Sequence, residues 1–120
     1  MHQKKFEDKE WIVRKDYSKK IIFSYDEFKE KGHLLQVVTI PPHTKQRLHT
    51  HNQQTEVYYV LEGETYITIG NHEFLAKPGD GFMTHPGDIH SLWNKSNATF
   101  KLLVFKINYP QNNADTVWIE

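Results

Sequence analysis

His49-Thr50-His51-Asn52-Gln53-Gln54-Thr55-Glu56 is the stretch on which the reading of this chain turns, together with Pro86-Gly87-Asp88-Ile89-His90 further along. Residues two apart on a β-strand point to the same face, about 7 Å apart along the backbone. His49 and His51 therefore aim at one point if they lie on a strand. Glu56 opens the next strand after a short loop, and a hairpin folds it back beside them. Imidazole and carboxylate together suit a divalent transition ion such as Fe, Mn, Ni, Co or Zn. The expectation is one metal ion held inside a small barrel.

The rest of the chain fits such a barrel. At 120 residues it is long enough for one core and not for two. Fifteen basic and fifteen acidic residues balance to zero net charge, so no global field favours nucleic acid or a membrane surface. Lys4-Lys5 sits beside Glu7, Asp8 and Glu10, the composition of a solvated arm. There is no cysteine, which removes disulfides and thiolate ligands. No apolar run reaches membrane-spanning length, and no apolar signal region follows the first lysines. A cytoplasmic protein is the default expectation.

From His33 onward the hydrophobic period is two. Leu34 to Ile40 ends at Pro41-Pro42; Lys45 to His51, Glu56 to Leu61, Thr65 to Ile69 and His72 to Ala76 follow. Pro78-Gly79-Asp80 interrupts before Gly81 to His85, and Ile89 to Asn94 and Thr99 to Ile107 complete the set. Short strands spaced by Gly, Pro and Asn turns predict an all-β sandwich or barrel. Ser24-Tyr25-Asp26-Glu27 has the form of a capping box, predicting one or two helical turns over 25–31 and little other helix. Three segments result: an N-terminal arm (1–32), the barrel (33–107) and a tail (108–120) in which Val117-Trp118-Ile119 can dock on the body.

These residues resemble the cupin superfamily, whose first motif is G-x5-H-x-H-x3/4-E-x6-G. His49, His51, Glu56 and Gly63 match its spacing, and His43 stands where the opening glycine is expected. The second motif, G-x5-P-x-G-x2-H-x3-N, is met by Gly79, Gly87, His90 and Asn94, with His85 in the proline slot. The resemblance covers roughly residues 34–107. It implies a double-stranded β-helix, or jelly-roll barrel, and His49, His51, Glu56 and His90 as ligands of one divalent metal. Four protein ligands on an octahedral ion leave two adjacent positions for a substrate, or for substrate plus dioxygen. Both departures fall at turns and leave the ligands intact.

Around that centre, Arg47 and Lys45 share strand parity with His49 and His51. Arg47 either clamps a carboxylate or phosphate of a bound substrate or is a strand-end charge at the barrel mouth. Tyr58 follows Glu56 on the same face, as a hydrogen-bond donor or acid near the metal, or as a packed aromatic. His85 lines the pocket mouth or is an exposed turn residue. His33, His43 and His72 fall at strand ends and turns and are expected to be solvated, and Asn94 is expected to tie a loop backbone.

Two functions are consistent with this pattern. One is a metal-dependent enzyme, of oxygenase or of isomerase, epimerase or lyase type, acting on a small polar or anionic molecule with Arg47 and Tyr58 in attendance. The other is a non-catalytic small-molecule-binding or sensing barrel with a structural metal. Members of this family run several chemistries on one fold, so resemblance alone does not choose. Exposed barrel edges and the aromatic arm further suggest a homodimer.

Overall fold

The period-two pattern resolves into two antiparallel sheets with their apolar faces turned toward each other. The structure, a computed structural model, describes residues 3–110 and 115–119. Its strands are β1 (Ile12–Val13), β2 (Ser18–Phe23), β3 (Leu34–Ile40), β4 (Thr44–Lys45), β5 (His49–His51) and β6 (Thr55–Glu62). After these come β7 (Thr65–Ile69), β8 (His72–Ala76), β9 (Gly81–Thr84), β10 (His90–Asn94), β11 (Phe100–Ile107) and β12 (Thr116–Trp118). One sheet runs β1-β2-β3-β11-β6-β9 and the other β12-β5-β10-β7-β8, with β4 also pairing β10. This is a double-stranded β-helix.

Alternation builds the core. On β6, Glu56, Tyr58 and Val60 are buried while Tyr59 and Leu61 face out. Ile40, Val60, Phe100 and Leu102 from the first sheet meet Ile67, Ala76 and Leu92 from the second. A fully buried aliphatic or aromatic side chain contributes roughly 1.5–3 kcal/mol relative to exposure, so these contacts hold the two sheets at a fixed separation. Gly63 closes the β6–β7 turn at φ 80°, where an added Cβ would lie 2.9 Å from the Thr99 carbonyl oxygen. Neither the torsion nor the space admits another residue.

The N-terminal arm lies in the first sheet, because β2 pairs with β3 from Ser18↔Thr39 to Phe23↔Leu35. Lys20 fastens it: its ammonium stands 3.9 Å from the Phe6 ring centroid and 5.0 Å from that of Trp11, and donates to the Phe6 carbonyl at 3.1 Å. Burying a lysine in this way is tolerable because its charge meets two π-faces and a carbonyl.

Helix is scarcer than the capping box predicts. The Ser24 N–H does donate to Glu27 Oε2 at 2.9 Å, but the segment is a single 3₁₀ turn, Tyr25–Glu27. Phe28 leaves it in extended geometry and places its ring against Phe23, His33 and Phe105. That aromatic contact outcompetes a second helical turn. Among the described residues the other helical element is a 3₁₀ turn at Phe6–Asp8, and no helix there is long and apolar enough to cross a membrane.

His33 departs from expectation for the same reason. Its ring centroid lies 5.7 Å from that of Phe28 and 5.6 Å from that of Phe105, with Nδ1 buried. His43 and His72 are exposed, as expected. Asn94 ties loops together: its amide donates to the carbonyls of Ile40, Pro41 and Ala98, and its oxygen accepts from Ser96.

Candidate metal centre

Four buried side chains converge between the sheets. His49 and His51 come from β5, Glu56 from β6 and His90 from β10, and one donor atom from each lies within 4.8 Å of all the others. Cross-strand registry accounts for the convergence: His90 pairs directly with His49, and β6 delivers Glu56 from the opposite sheet.

The second nitrogen of each imidazole is already engaged. His49 Nδ1 donates to the Arg47 carbonyl at 2.8 Å and His90 Nδ1 to the Asp88 carbonyl at 2.9 Å. His51 Nδ1 faces Thr116 Oγ1 at 3.3 Å. With Nδ1–H so committed in His49 and His90, Nε2 is the lone-pair nitrogen they present to the cluster, and His51 presents the same when its Nδ1–H donates to the Thr116 hydroxyl. His51 Nε2 lies 2.6 Å and His90 Nε2 3.3 Å from Glu56 Oε1. None of these three buried atoms has an aligned hydrogen-bond partner. Lone pairs facing lone pairs in a buried space are unfavourable unless a cation stands among them. The donor set therefore fits one divalent metal ion.

Electrostatics points the same way. Burial, reinforced by the neighbouring His90, lowers the His49 pKa to about 4, keeping the ring neutral and able to ligate at physiological pH. Burial opposes ionisation of Glu56, and positive character on the His51 and His90 side, an Nε2–H or a cation in its place, outweighs it and holds the carboxyl well below the usual range. Burial, then the Glu56 charge, pushes the Tyr58 phenol well above its ordinary value, so it stays protonated.

Two loops hold the ligands in place. The Gly87 N–H donates to the His51 carbonyl at 2.8 Å, joining the Pro86-Gly87 turn to the first ligand strand. Asp88 accepts the His85 N–H at 2.8 Å and shapes the turn whose carbonyl holds His90. From the tail, Asp115 accepts the N–H groups of Asn52, Gln53 and Gln54, the loop between His51 and Glu56. Thr116 and Trp118 flank His51 and His49 through the β12–β5 pairing.

The cavity beside the cluster has a volume of about 320 Å³. Tyr58 lines it, as its parity predicts. Arg47 does not, and this corrects the parity argument. The predicted strand 45–51 is broken: Trp93 pairs with Lys45 but His90 pairs with His49, so four steps on one strand oppose three on the other. This one-residue bulge reverses the facing of what precedes it. Gln46 turns into the cavity, while Arg47 is exposed with its guanidinium carbon 3.8 Å from the Trp118 ring centroid. Lys45 is likewise outside, 5.4 Å from the Trp93 ring. His85 is exposed and away from the cavity wall.

Lys19 and Lys106 are the cavity residues that sequence reasoning passed over. A signal was present: Phe100, Leu102, Val104 and Lys106 alternate on β11, so the inward face ends in a lysine. Burial lowers the Lys106 pKa, and burial plus repulsion from Lys106 lowers that of Lys19.

A double-stranded β-helix with three histidines and one glutamate meeting in its interior defines a metal-site barrel of the cupin class. The cupin domain model matches residues 36–106, and the chain belongs to that family. It is 33% identical over 81 residues to an uncharacterised protein of Methanocaldococcus jannaschii, covering 68% of this chain and just under two thirds, 64%, of that protein. It is 29% identical over 82 residues to an oxalate-binding protein of Thermotoga maritima, covering 68% of each. A solved structure from Thermus thermophilus superposes with TM-score 0.75 at 26% identity, covering 92% of this chain and 100% of that one.

Proposed function

We propose that this cupin is a metal-dependent enzyme binding one divalent transition ion through His49, His51, Glu56 and His90 and acting on a small polar molecule. The observation that carries the reading is the convergence of buried, unpartnered Nε2 and Oε1 atoms on one point. When bound, the ion would supply Lewis-acid stabilisation of an oxyanion, or positions for substrate and dioxygen. Tyr58 Oη keeps its proton in this setting and lines the cavity, where it would donate a hydrogen bond to a ligand. Arg47 acts at the mouth through its stack on Trp118 rather than on the cavity wall. The reaction is of oxygenase or isomerase/lyase type.

Metal content of tag-free protein, by plasma mass spectrometry with His51→Ala alongside, tests the site. Near-stoichiometric metal lost in the variant supports it; no metal taken up from added Fe, Mn, Ni, Co or Zn removes it. Oxygen uptake and isomerase screens on the loaded protein then test catalysis. The T. maritima relative, described as oxalate-binding, favours a second reading, a barrel that binds a small acid without turning it over. Ligand binding with no turnover in either screen would select it.

We also propose a homodimer in the cytoplasm. Strand β9 is a sheet edge, and Tyr59, Leu61 and Met83 are exposed on the outside of β6 and β9. Light scattering that gives the mass of one chain at micromolar concentration would remove the dimer.

A further inference from the structure

Two lysines share the cavity wall opposite the second sheet, and nothing beside them neutralises both. Lys19 projects from β2 and Lys106 from β11. Among the described residues neither has a carboxylate within ion-pair distance, Glu56 and Asp115 attracting Lys106 only from further off; its ammonium lies 4.6 Å from the Tyr109 ring centroid. Glu56 is the one acid on the cavity wall, and the metal ligand set claims it. Two like charges facing one small, partly dry space are costly, a cost relieved when one lysine gives up its proton or an anion enters between them. Gln36 adds an independent sign of a missing partner. It is buried, lines the same cavity, and its Oε1 is an acceptor without a hydrogen-bond partner, which calls for a donor such as a ligand hydroxyl. Tyr17 closes that side with a phenol.

We infer that the ligand of this site is a compact dicarboxylate: one end, a hydroxy- or oxo-carboxylate, binds the metal, and its second carboxylate is held by Lys19 and Lys106. This rests on the metal reading above and specifies its substrate class. The cavity, about 320 Å³, is at the small end for ligand sites and suits an acid of this size. Oxalate, whose two carboxylates both reach a single ion, leaves the lysines unanswered; a longer diacid answers them. Lys19 comes from the arm, so the segment outside the family match supplies half of the anion clamp.

Malate and lactate make the test, since they share a hydroxy-carboxylate and differ by one carboxylate. Metal content of Mn-loaded wild type, Lys19→Met and Lys106→Met is read first, which separates loss of the ion from loss of the lysine contact. Calorimetric titration should then show malate binding wild type about tenfold or more tightly than lactate, the scale of a charge-assisted hydrogen bond. Each methionine variant should shrink that ratio severalfold while leaving lactate affinity in place, and Lys19→Arg should restore it. Equal affinity of wild type for the two acids overturns the proposal. So does a malate preference that survives in both variants. Should Lys106→Met fail to fold, the wild-type ratio and Lys19→Met decide. If the wild type holds no metal, the metal reading fails on that measurement alone. The same two acids then judge the lysine subsite on metal-free protein: a malate preference lost in the variants sustains it, and equal or absent binding overturns it.

Discussion

Asp115 Oδ1 accepts the backbone N–H of Gln53 at 2.9 Å, across 62 positions of sequence. The same carboxylate takes the N–H groups of Asn52 and Gln54, so a buried tail residue fixes the loop joining His51 to Glu56. Removing it leaves the Gln53 and Gln54 N–H groups without their acceptor, while Asn52 keeps the Asp115 carbonyl at 3.2 Å. Asp115→Ala should cost about 3 kcal/mol in urea unfolding, and about tenfold or more in metal affinity. Asp115→Asn, retaining one acceptor oxygen, should fall between. A variant with wild-type stability and metal affinity would show that the loop holds its shape unaided.

His51→Ala separates the ion's contribution from that of the barrel. Saturating metal at about 100 times its Kd should stabilise the wild type by roughly 2.7 kcal/mol. The variant should show almost none of this gain. Thermal melts with and without added Mn measure both; an equal metal-induced shift in the two proteins would place the ion elsewhere.

Glu27 supplies a pH dependence remote from the His49, His51, Glu56 and His90 cluster. Its hydrogen-bonding contact with Lys4, then the Ser24 N–H, lowers its pKa from 4.5 to about 2. A depressed carboxyl pKa stabilises the fold above pH 4.5, and the gain is lost as pH falls through 4.5 toward 2. Because the pair is solvent-screened, the effect is small. The stability difference between wild type and Glu27→Gln should therefore be present at pH 6 and shrink by pH 3. A difference that stays constant over that interval would assign it to packing instead.

Gly63→Ala tests the β6–β7 turn. The new Cβ meets the Thr99 carbonyl at 2.9 Å and the backbone stays at φ 80°, so a loss of about 2 kcal/mol is expected. Gly79→Ala carries the torsional strain at φ 93° without the collision and should cost less. Equal denaturation midpoints for the two variants would argue that torsion alone sets the penalty.

What could be read from the sequence follows from what is local. His49-x-His51 was legible because strand parity places both rings on one face, and Tyr58 follows Glu56 by the same rule; the expected hairpin does not form, since β5 and β6 lie in different sheets and the 52–54 loop carries Glu56 across to face the histidines. Arg47 was misplaced because a bulge between Lys45 and His49 is set by pairing with β10, a strand some forty positions away. Asp115 was invisible for a related reason: an aspartate in a tail carries no local mark of the loop it will cap. Phe28 shows the same conflict on a smaller scale, as the capping box favours helix and distant aromatic neighbours remove its second turn. His43 illustrates the converse. It stands in the glycine slot of the first motif and adopts φ 55°, the left-handed torsion that slot requires.

Strand β12 has a consequence for the order of events during synthesis. A nascent chain elongated as far as Ile107 already contains His49, His51, Glu56 and His90, but it lacks the Asp115 carboxylate, the Thr116 hydroxyl and the Trp118 ring that brace them. Ion capture by such a chain would compete with an unbraced loop. A chain ending at Ile107 should thus fold to a barrel with a weak, exchangeable ion, and the grip should tighten only once residues 115–118 have left the ribosome.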